Sequence, residues 1–280
     1  MSNKLIEIAQ EDWPALRDLY KEKKQFASSY FLIQNYISLK IKNSEENVRI
    51  LSLNGDWKDD GTFILKHCFK KFTYTFVNTL STNQERLLQA LHCLDPNKEL
   101  FLYGFQEHVK QTIDNYFKCF TMDTTSIYSG TNWFHLDKEK AEQFSIEAPT
   151  GIKLIKLEPR HAEKVNSIWP HRGPDSIDFV NYIIKNDICV GAEDESGELV
   201  AWCLRLPLGS LGLLQVVDSH KRLGLGSLMV RTLSHTLAKN NIEVMAPVVF
   251  ENVASRSMFE KLGFRAIDKV YWAPRPTKQA

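Results

Sequence analysis

The residues of this 280-residue chain whose types and spacing can do chemistry lie in Leu213-Leu-Gln-Val-Val-Asp-Ser-His-Lys-Arg-Leu-Gly-Leu-Gly-Ser-Leu-Met-Val230. An apolar run ends at Val217, Gly224 and Gly226 follow, and a helical pattern begins at once. A strand, a glycine turn and a helix N-terminus, in that order, can hold a pyrophosphate. Glycine has no Cβ, so the backbone can approach an anion and point its N–H groups at it. The unpaired amides of the first helical turn add a partial positive charge. The spacing Lys221-x-x-Gly224-x-Gly226 has Met229 where the dinucleotide fingerprint needs a third glycine, and it lacks the Gly-Lys-Ser/Thr ending of a Walker loop. A second patterned segment follows, Asn252-Val-Ala-Ser-Arg-Ser-Met-Phe-Glu-Lys-Leu-Gly-Phe264. Between the two there is room for a helix of about 13 residues, roughly 20 Å long, and a strand.

The first segment resembles the Arg/Gln-x-x-Gly-x-Gly/Ala loop of the GNAT N-acyltransferases, with Val216 at the strand residue that opens the motif. The second is similar to that superfamily's Asn-x-x-Ala/Ser-x-x-Leu-Tyr-Glu-Lys-Leu-Gly-Phe segment, which runs beside the pantetheine arm of coenzyme A. The resemblance implies a co-substrate, acyl-CoA or acetyl-CoA, with no metal. It implies backbone contacts from Leu214, Val216 and Val217 and a pyrophosphate cradle of Arg222, Leu223, Gly224, Leu225, Gly226 and Ser227. It also implies contacts to the arm from Asn252, Ser255 and Phe259. Asn252 is expected to cap the helix that follows it as well.

Acyl transfer from a thioester to an amine makes three demands. The carbonyl must be gripped, the amine must arrive deprotonated, and the leaving thiolate must be protonated or stabilised. By resemblance, backbone N–H groups of Leu214 and Val216 meet the first demand whatever their side chains are. For the second, the histone-acetyltransferase branch and the glycine N-acyltransferases carry a glutamate eleven residues before the loop motif; here that position is Ser210. A serine hydroxyl is no base at neutral pH, though it can order a water. Asp218, His220, Glu243 and Glu251 are near in sequence, and none is assigned the role. For the third, the usual tyrosine is Phe259, which has no proton to give and reads as a core aromatic. The catalytic residues therefore stay unassigned. Asp218-Ser219-His220 is no triad, because consecutive residues cannot aim their functional groups at one another.

Around these motifs the C-terminal part parses into alternating elements. A strand is expected at Ile152–Leu157, helices at Arg160–Trp169 and Ser176–Lys185, and a hairpin of Ile188–Ala192 with Leu199–Leu206 across the turn Asp194-Glu-Ser-Gly197. Leu199-Val-Ala-Trp-Cys-Leu204 is continuously apolar and belongs in the middle of a sheet. A strand at Leu211–Val217, a helix from Ser227 stopping at Asn240-Asn241, a strand at Ile242–Phe250, a helix at Ala254–Leu262 and a closing strand at Ala266–Trp272 complete the order. It is that of the GNAT core.

The N-terminal part repeats this order without a glycine loop. Leu5-Ile-Glu-Ile8 aligns with Leu154-Ile-Lys-Leu157, and Asn35-Tyr-Ile37 with Asn181-Tyr-Ile183. Strands at Val48–Leu53, Thr62–His67 and Phe72–Val77 precede a helix opened at Ser81 by a capping-box-like serine. The fold expected is α/β: a mixed, mostly antiparallel sheet flanked by helices, in two tandem GNAT-like halves. Residues 1–149 form a degenerate half without a CoA loop, and residues 150–280 form the acyl-CoA-binding domain. The alternative is chance similarity between two α/β halves.

Composition sets the remaining bounds. An apolar fraction of 43%, a charged fraction of 25% and a net charge of +1 are those of a globular chain with no global field for nucleic acid or an acidic membrane. No apolar stretch reaches the roughly 18 residues of a membrane span. Five cysteines without a Cys-x-x-Cys read as reduced, buried thiols in a reducing compartment, not as zinc ligands or disulfides. Acidic residues at Glu7, Glu11 and Asp12 argue against a targeting peptide, so a cytoplasmic location is expected, the mitochondrial matrix being open by resemblance. The size and the Arg222-Leu-Gly-Leu-Gly226 turn resemble the glycine N-acyltransferase-like branch. That implies an acyl-CoA and a small amine acceptor such as glycine. Acetylation of an arylalkylamine, polyamine or protein amine is a second reading, and a CoA-binding sensor without turnover a third. Oligomeric state is not written in the sequence.

Overall fold

The computed structural model describes residues 3–22, 27–69, 72–120 and 128–275. They divide into two compact units, Met1–Asn132 with Ile267–Ala280, and Trp133–Ala266. The chain begins with β1 (Leu5–Glu7), α1 (Trp13–Leu19), α2 (Ala27–Lys42), β2 (Val48–Leu53), a single turn α3 (Trp57–Asp60), β3 (Phe63–Phe69) and β4 (Phe72–Asn78). It continues with α4 (Glu85–His92), β5 (Leu100–Gln106), α5 (Lys110–Lys118), β6 (Ser129–Leu136) and a second single turn, α6 (Lys138–Ala141). Then follow β7 (Lys153–Lys156), α7 (Ala162–Ser167), α8 (Ser176–Asn186), β8 (Cys189–Glu193), β9 (Leu199–Arg205) and β10 (Leu211–Val216). Last are α9 (Leu225–Lys239), β11 (Val244–Val249), α10 (Val253–Lys261) and β12 (Arg265–Arg275). With α3 and α6 set aside, the order β-α-α-β-β-β-α-β-α-β runs twice.

Local chemistry accounts for the C-terminal repeat. The β8–β9 turn is tied by the Asp194 carboxylate, which accepts from the backbone N–H groups of Ser196 and Glu198, with Gly197 left-handed at φ 81°. Strand β9 lies between β10 and β8 in the order β10-β9-β8-β7, and all seven of its residues are buried, as its apolar run predicts. Helix α9 buries Leu225, Leu228, Met229, Leu233 and Leu237 along one stripe. The backbone turns left-handed at Asn241 just beyond it, at φ 58°. These side chains share one core with Val190, Ala201, Cys203, Val244, Ala246, Val248 and Phe264.

In the N-terminal unit the order is β1-β2-β3-β4-β5-β12. The described registers throughout are antiparallel except β4 with β5. Strand β12 departs from the expectation that it closes the C-terminal half. It lies between β5 and β6, with Val270 opposite Gln106 and Arg275 opposite Leu100 on the β5 side. The reason is its far end. Ala273 is in the N-terminal core, and the buried Arg275 guanidinium donates to the Tyr116 hydroxyl and to the carbonyls of Asp95 and Lys98. The capping box at Ser81 does not form either. Helix α4 is capped by Gln84 in the left-handed conformation, φ 54°, with no side-chain cap. Of the five free cysteines only Cys189 and Cys203 are buried, and Cys119 is exposed. No helix among the described residues is long and apolar enough to cross a membrane.

Candidate functional site

The site begins with a defect in β10. Gly212 pairs with Leu204 and Gln215 with Trp202, so Leu213 and Leu214 together face the single residue Cys203. This is a β-bulge, which turns the backbone groups of its extra residue out of the ladder. Leu213 is left-handed at φ 46°, a conformation that costs a branched residue on the order of 1–2 kcal/mol. Packing enforces it: the Leu206 side chain lies so close over Gly212 that a Cβ there would stand 2.3 Å from its Cδ1. Strand β10 is the outer strand of its sheet, and no ladder joins it to β11. Pro247, in the middle of β11, has no N–H to offer one. The bulge and Pro247 together leave the outer edge of β10 open.

The loop after β10 returns by a 3₁₀ turn, Asp218–His220, to Lys221, whose ammonium lies 2.5 Å from the Asp218 carboxylate. That contact holds Asp218 below the usual carboxylate range. Arg222 is left-handed at φ 64°, and Gly224, left-handed at φ 77°, caps α9 without any side-chain cap. Among the described residues, nothing lies within 4 Å of where a Gly224 Cβ would be. Among the described residues, no acceptor takes the backbone N–H groups of residues 222–227, and the first helical bond is Leu228 N–H to Gly224 O at 3.0 Å. A 15-residue helix thus presents its positive end, flanked by exposed Lys221 and Arg222, to open space. This arrangement suits an anion with several oxygens.

Gly226, one residue into the helix, joins three elements. A Cβ on it would touch Met258 Sδ of α10 at 3.7 Å and Val216 Cγ2 of β10 at 3.8 Å. Leu225 is buried in the core below, while Ser227 is half-buried and Leu223 is exposed on the loop. Asn252 caps α10 as expected, its Oδ1 accepting from the Ser255 N–H at 3.0 Å. Its Nδ2 has no partner among the described residues. Val217 donates its N–H to Val200 O at 2.9 Å, so its amide is spent on the sheet. Sequence reasoning missed Met258, Leu213 and Pro247. The i, i+3 spacing from Ser255 pointed to the first, and a proline inside an otherwise good strand pointed to the last.

Neither residue at the usual base and acid positions faces this cleft with a usable proton group. Ser210 lies in the β9–β10 turn, fully buried, its backbone carbonyl accepting from Leu206 and its hydroxyl without a partner. Enclosed in this way, its hydroxyl is withdrawn from bulk solvent. Phe259 is buried among Phe134 and Phe264. Other titratable groups are engaged elsewhere: His220 lies 3.9 Å from Asp194, and Glu243 pairs with His135 at 3.0 Å. Glu251 is exposed. Burial pushes the Cys189 thiol up to about 12 and Cys203 higher still, so neither thiol is a nucleophile. No group of His, Cys, Asp or Glu able to hold a metal occurs among the described residues.

The family model for FR47-like proteins matches residues 189–273, from β8 into β12. No curated protein matches the chain in sequence. Among solved structures, a Drosophila protein superposes with a TM-score of 0.87 at 20% identity, covering 99% of this chain and 100% of that one. A GCN5-related N-acetyltransferase from Sphaerobacter thermophilus gives 0.59 at 11% identity over 100% and 97% of the two chains. A tandem GNAT protein from the clavulanic acid biosynthesis pathway gives 0.58 at 11% over 99% of each. These likenesses establish the fold. The chain has a mixed α/β, mostly antiparallel fold with flanking helices, similar to that of the tandem GNAT protein over 99% of each chain.

Proposed function

We propose that this chain is an acyl-CoA-dependent N-acyltransferase acting on the amine of a small acceptor. The size and the Arg222-Leu-Gly-Leu-Gly226 turn support a likeness to the glycine N-acyltransferase-like branch. The observation that carries this reading is the bare, left-handed Gly224 above the unclaimed amides of α9. In this reading residues 150–280 hold the acyl-CoA, and residues 1–149 are a degenerate copy without a CoA loop. The backbone N–H groups of residues 222–227, with Lys221 and Arg222, hold the phosphates. Val216, Gly226 and Met258 line the path of the pantetheine arm, and Asn252 Nδ2 donates to it. The acyl-CoA, acetyl-CoA among the possibilities, supplies an activated acyl group as a thioester. The backbone N–H groups of Leu214 and Val216, beside the bulge of β10, would polarise the carbonyl of that thioester. With Ser210 enclosed and Phe259 in the core, the chain contributes position and carbonyl polarisation, and the amine arrives as free base from solution.

Those same two residues favour a second reading, a CoA-binding module without turnover. Release of free thiol from acetyl-, benzoyl- and long-chain acyl-CoA separates the two. The assay is run with and without amino acids, arylalkylamines, polyamines and a lysine peptide. Acceptor-dependent release supports the acyltransferase and names its acceptor class. Binding of acyl-CoA with no release under any acceptor supports the module.

A further inference from the structure

The two repeats place β10–α9 beside β11–α10 and β4–α4 beside β5–α5. No ladder joins the first strand pair among the described residues. Strands β4 and β5 are laddered at Tyr74–Phe101 and Thr75–Leu102, and the cleft lies beyond that ladder, at their C-terminal ends. Their helices α9 and α4 are both capped by a left-handed residue, Gly224 at φ 77° and Gln84 at φ 54°. The side chains around the two caps differ in kind. In the C-terminal repeat, among the described residues, no side-chain hydrogen bond joins residues 217–227 to residues 251–258. In the N-terminal repeat the corresponding gap is crossed twice by one side chain. Gln84 Nε2 donates to His108 O at 2.8 Å, and its Oε1 accepts from the Thr112 hydroxyl at 2.5 Å. Deeper in, between the ends of β4 and β5, the buried Asn78 Nδ2 donates to Gln106 Oε1. Gln106 Nε2 in turn donates to the Asp268 carboxylate of β12.

We infer that these side-chain amides permanently fill the N-terminal cleft. They supply from within the chain the donors and acceptors that a bound amide-bearing arm would otherwise supply, so the protein takes one acyl-CoA and not two. This rests on the reading of the C-terminal cleft as the acyl-CoA site. A chain that merely lost a glycine would leave buried polar groups facing a vacant slot, each of which costs stability. Here Asn78 and Gln106, both almost wholly buried, are bonded to one another and to Ser29, the Thr79 N–H and the Asp268 carboxylate. Gln84 accepts a left-handed backbone that disfavours any residue with a Cβ, and its side chain bridges the two loops at that conformation.

That conflict gives a test with opposite signs. If the Gln84 side chain is idle, Gln84→Gly relieves the backbone and raises the melting temperature. If it holds the cleft closed, Gln84→Gly loses both bonds, lowers the melting temperature by about 3 °C or more, and raises amide exchange in residues 79–112. Should that variant not fold, the isosteric Gln84→Glu loses only the donor to His108 O and is expected to shift in the same direction. Titration of the full chain with CoA by calorimetry is expected to give one site. Two sites, or a melting temperature that rises or stays unchanged in Gln84→Gly, overturn the inference. No CoA binding, together with the expected melting loss, instead refutes the acyltransferase reading and leaves the closed cleft standing.

Discussion

The ring of Phe259 lies stacked on that of Phe134, centroids 6.2 Å apart and planes 28° from parallel. Phe264 meets it edge-on at 4.9 Å. The residue at the expected acid position is therefore a member of the core. Phe259→Tyr is expected to cost about 1–3 kcal/mol, because a hydroxyl enters apolar surroundings without a partner. It should raise thiol release by less than tenfold. Thermal melting and the thiol assay check both numbers, and a large gain in rate at unchanged stability would contradict this placement.

At Gly224, steric room and ligand room can be separated. Gly224→Ala meets no atom of the described residues within 4 Å, so its cost is the left-handed backbone alone, about 1–2 kcal/mol. Gly224→Glu carries the same strain and adds a carboxylate where an anion is proposed to sit. Losing a few charge-assisted hydrogen bonds of roughly 1.5–3 kcal/mol each predicts at least about a 100-fold weaker CoA affinity. Calorimetry on both variants distinguishes the two effects.

Ser210→Glu places a carboxylate at the position that the resemblance gives to a general base. The enclosed position predicts that it does not act as one, since the carboxylate would be buried without a cationic partner, at a cost of about 3–5 kcal/mol. Ser210→Ala removes only an unpartnered hydroxyl and should be neutral or slightly stabilising. With no tuned base, the rate of the parent chain should climb about tenfold per pH unit up to the acceptor's own pKa. A plateau between pH 7 and 9 would reveal a base elsewhere.

Two histidines, His67 buried and His108 half-buried, link stability to pH. Burial holds His67, beside Glu46 and Tyr36, below its ordinary value, and His108 likewise. In the native state both resist protonation, so the unfolded chain binds more protons at mildly acidic pH. Their contribution is complete above the ordinary histidine value of 6.5 and is lost as pH falls from there toward their depressed native values. Urea midpoints measured from pH 8 to pH 5 should fall, and the fall should shrink in His108→Gln.

Arg275→Ala removes a buried guanidinium that donates to Tyr116 Oη and to two backbone carbonyls. Leaving those acceptors unpaired should cost about 2–4 kcal/mol. Hydrogen exchange should report the loss in residues 95–118, far in sequence from the substitution.

What was legible in the sequence was whatever depends on neighbours along the chain. The glycine turn into a helix N-terminus is legible because it rests on local pattern alone, and Gly224 stands there at φ 77°, which glycine takes without strain. The Asp194–Gly197 turn and the Asn241 stop follow from equally local chemistry. Leu213 gave no such sign. Leucine is among the residues least suited to φ 46°, and it is held there by Leu206 packed over Gly212, a contact made only after folding. The enclosure of Ser210 and the bridging by Gln84 are likewise products of tertiary packing. The pairing of β12 with β5 is set by Arg275 reaching Tyr116, and nothing within β12 announces it.

That last pairing has a consequence in time. During synthesis β5 is complete once Gln106 is made, yet the strand that covers it ends at Arg275. At about 5–20 residues per second the ribosome needs roughly 10–30 s to make the intervening chain. For that interval the nascent N-terminal half carries a naked strand edge, the state in which a neighbouring nascent chain can pair by mistake. A protein built this way is most exposed to aggregation while it is being born, and slow translation of its second half prolongs the exposure.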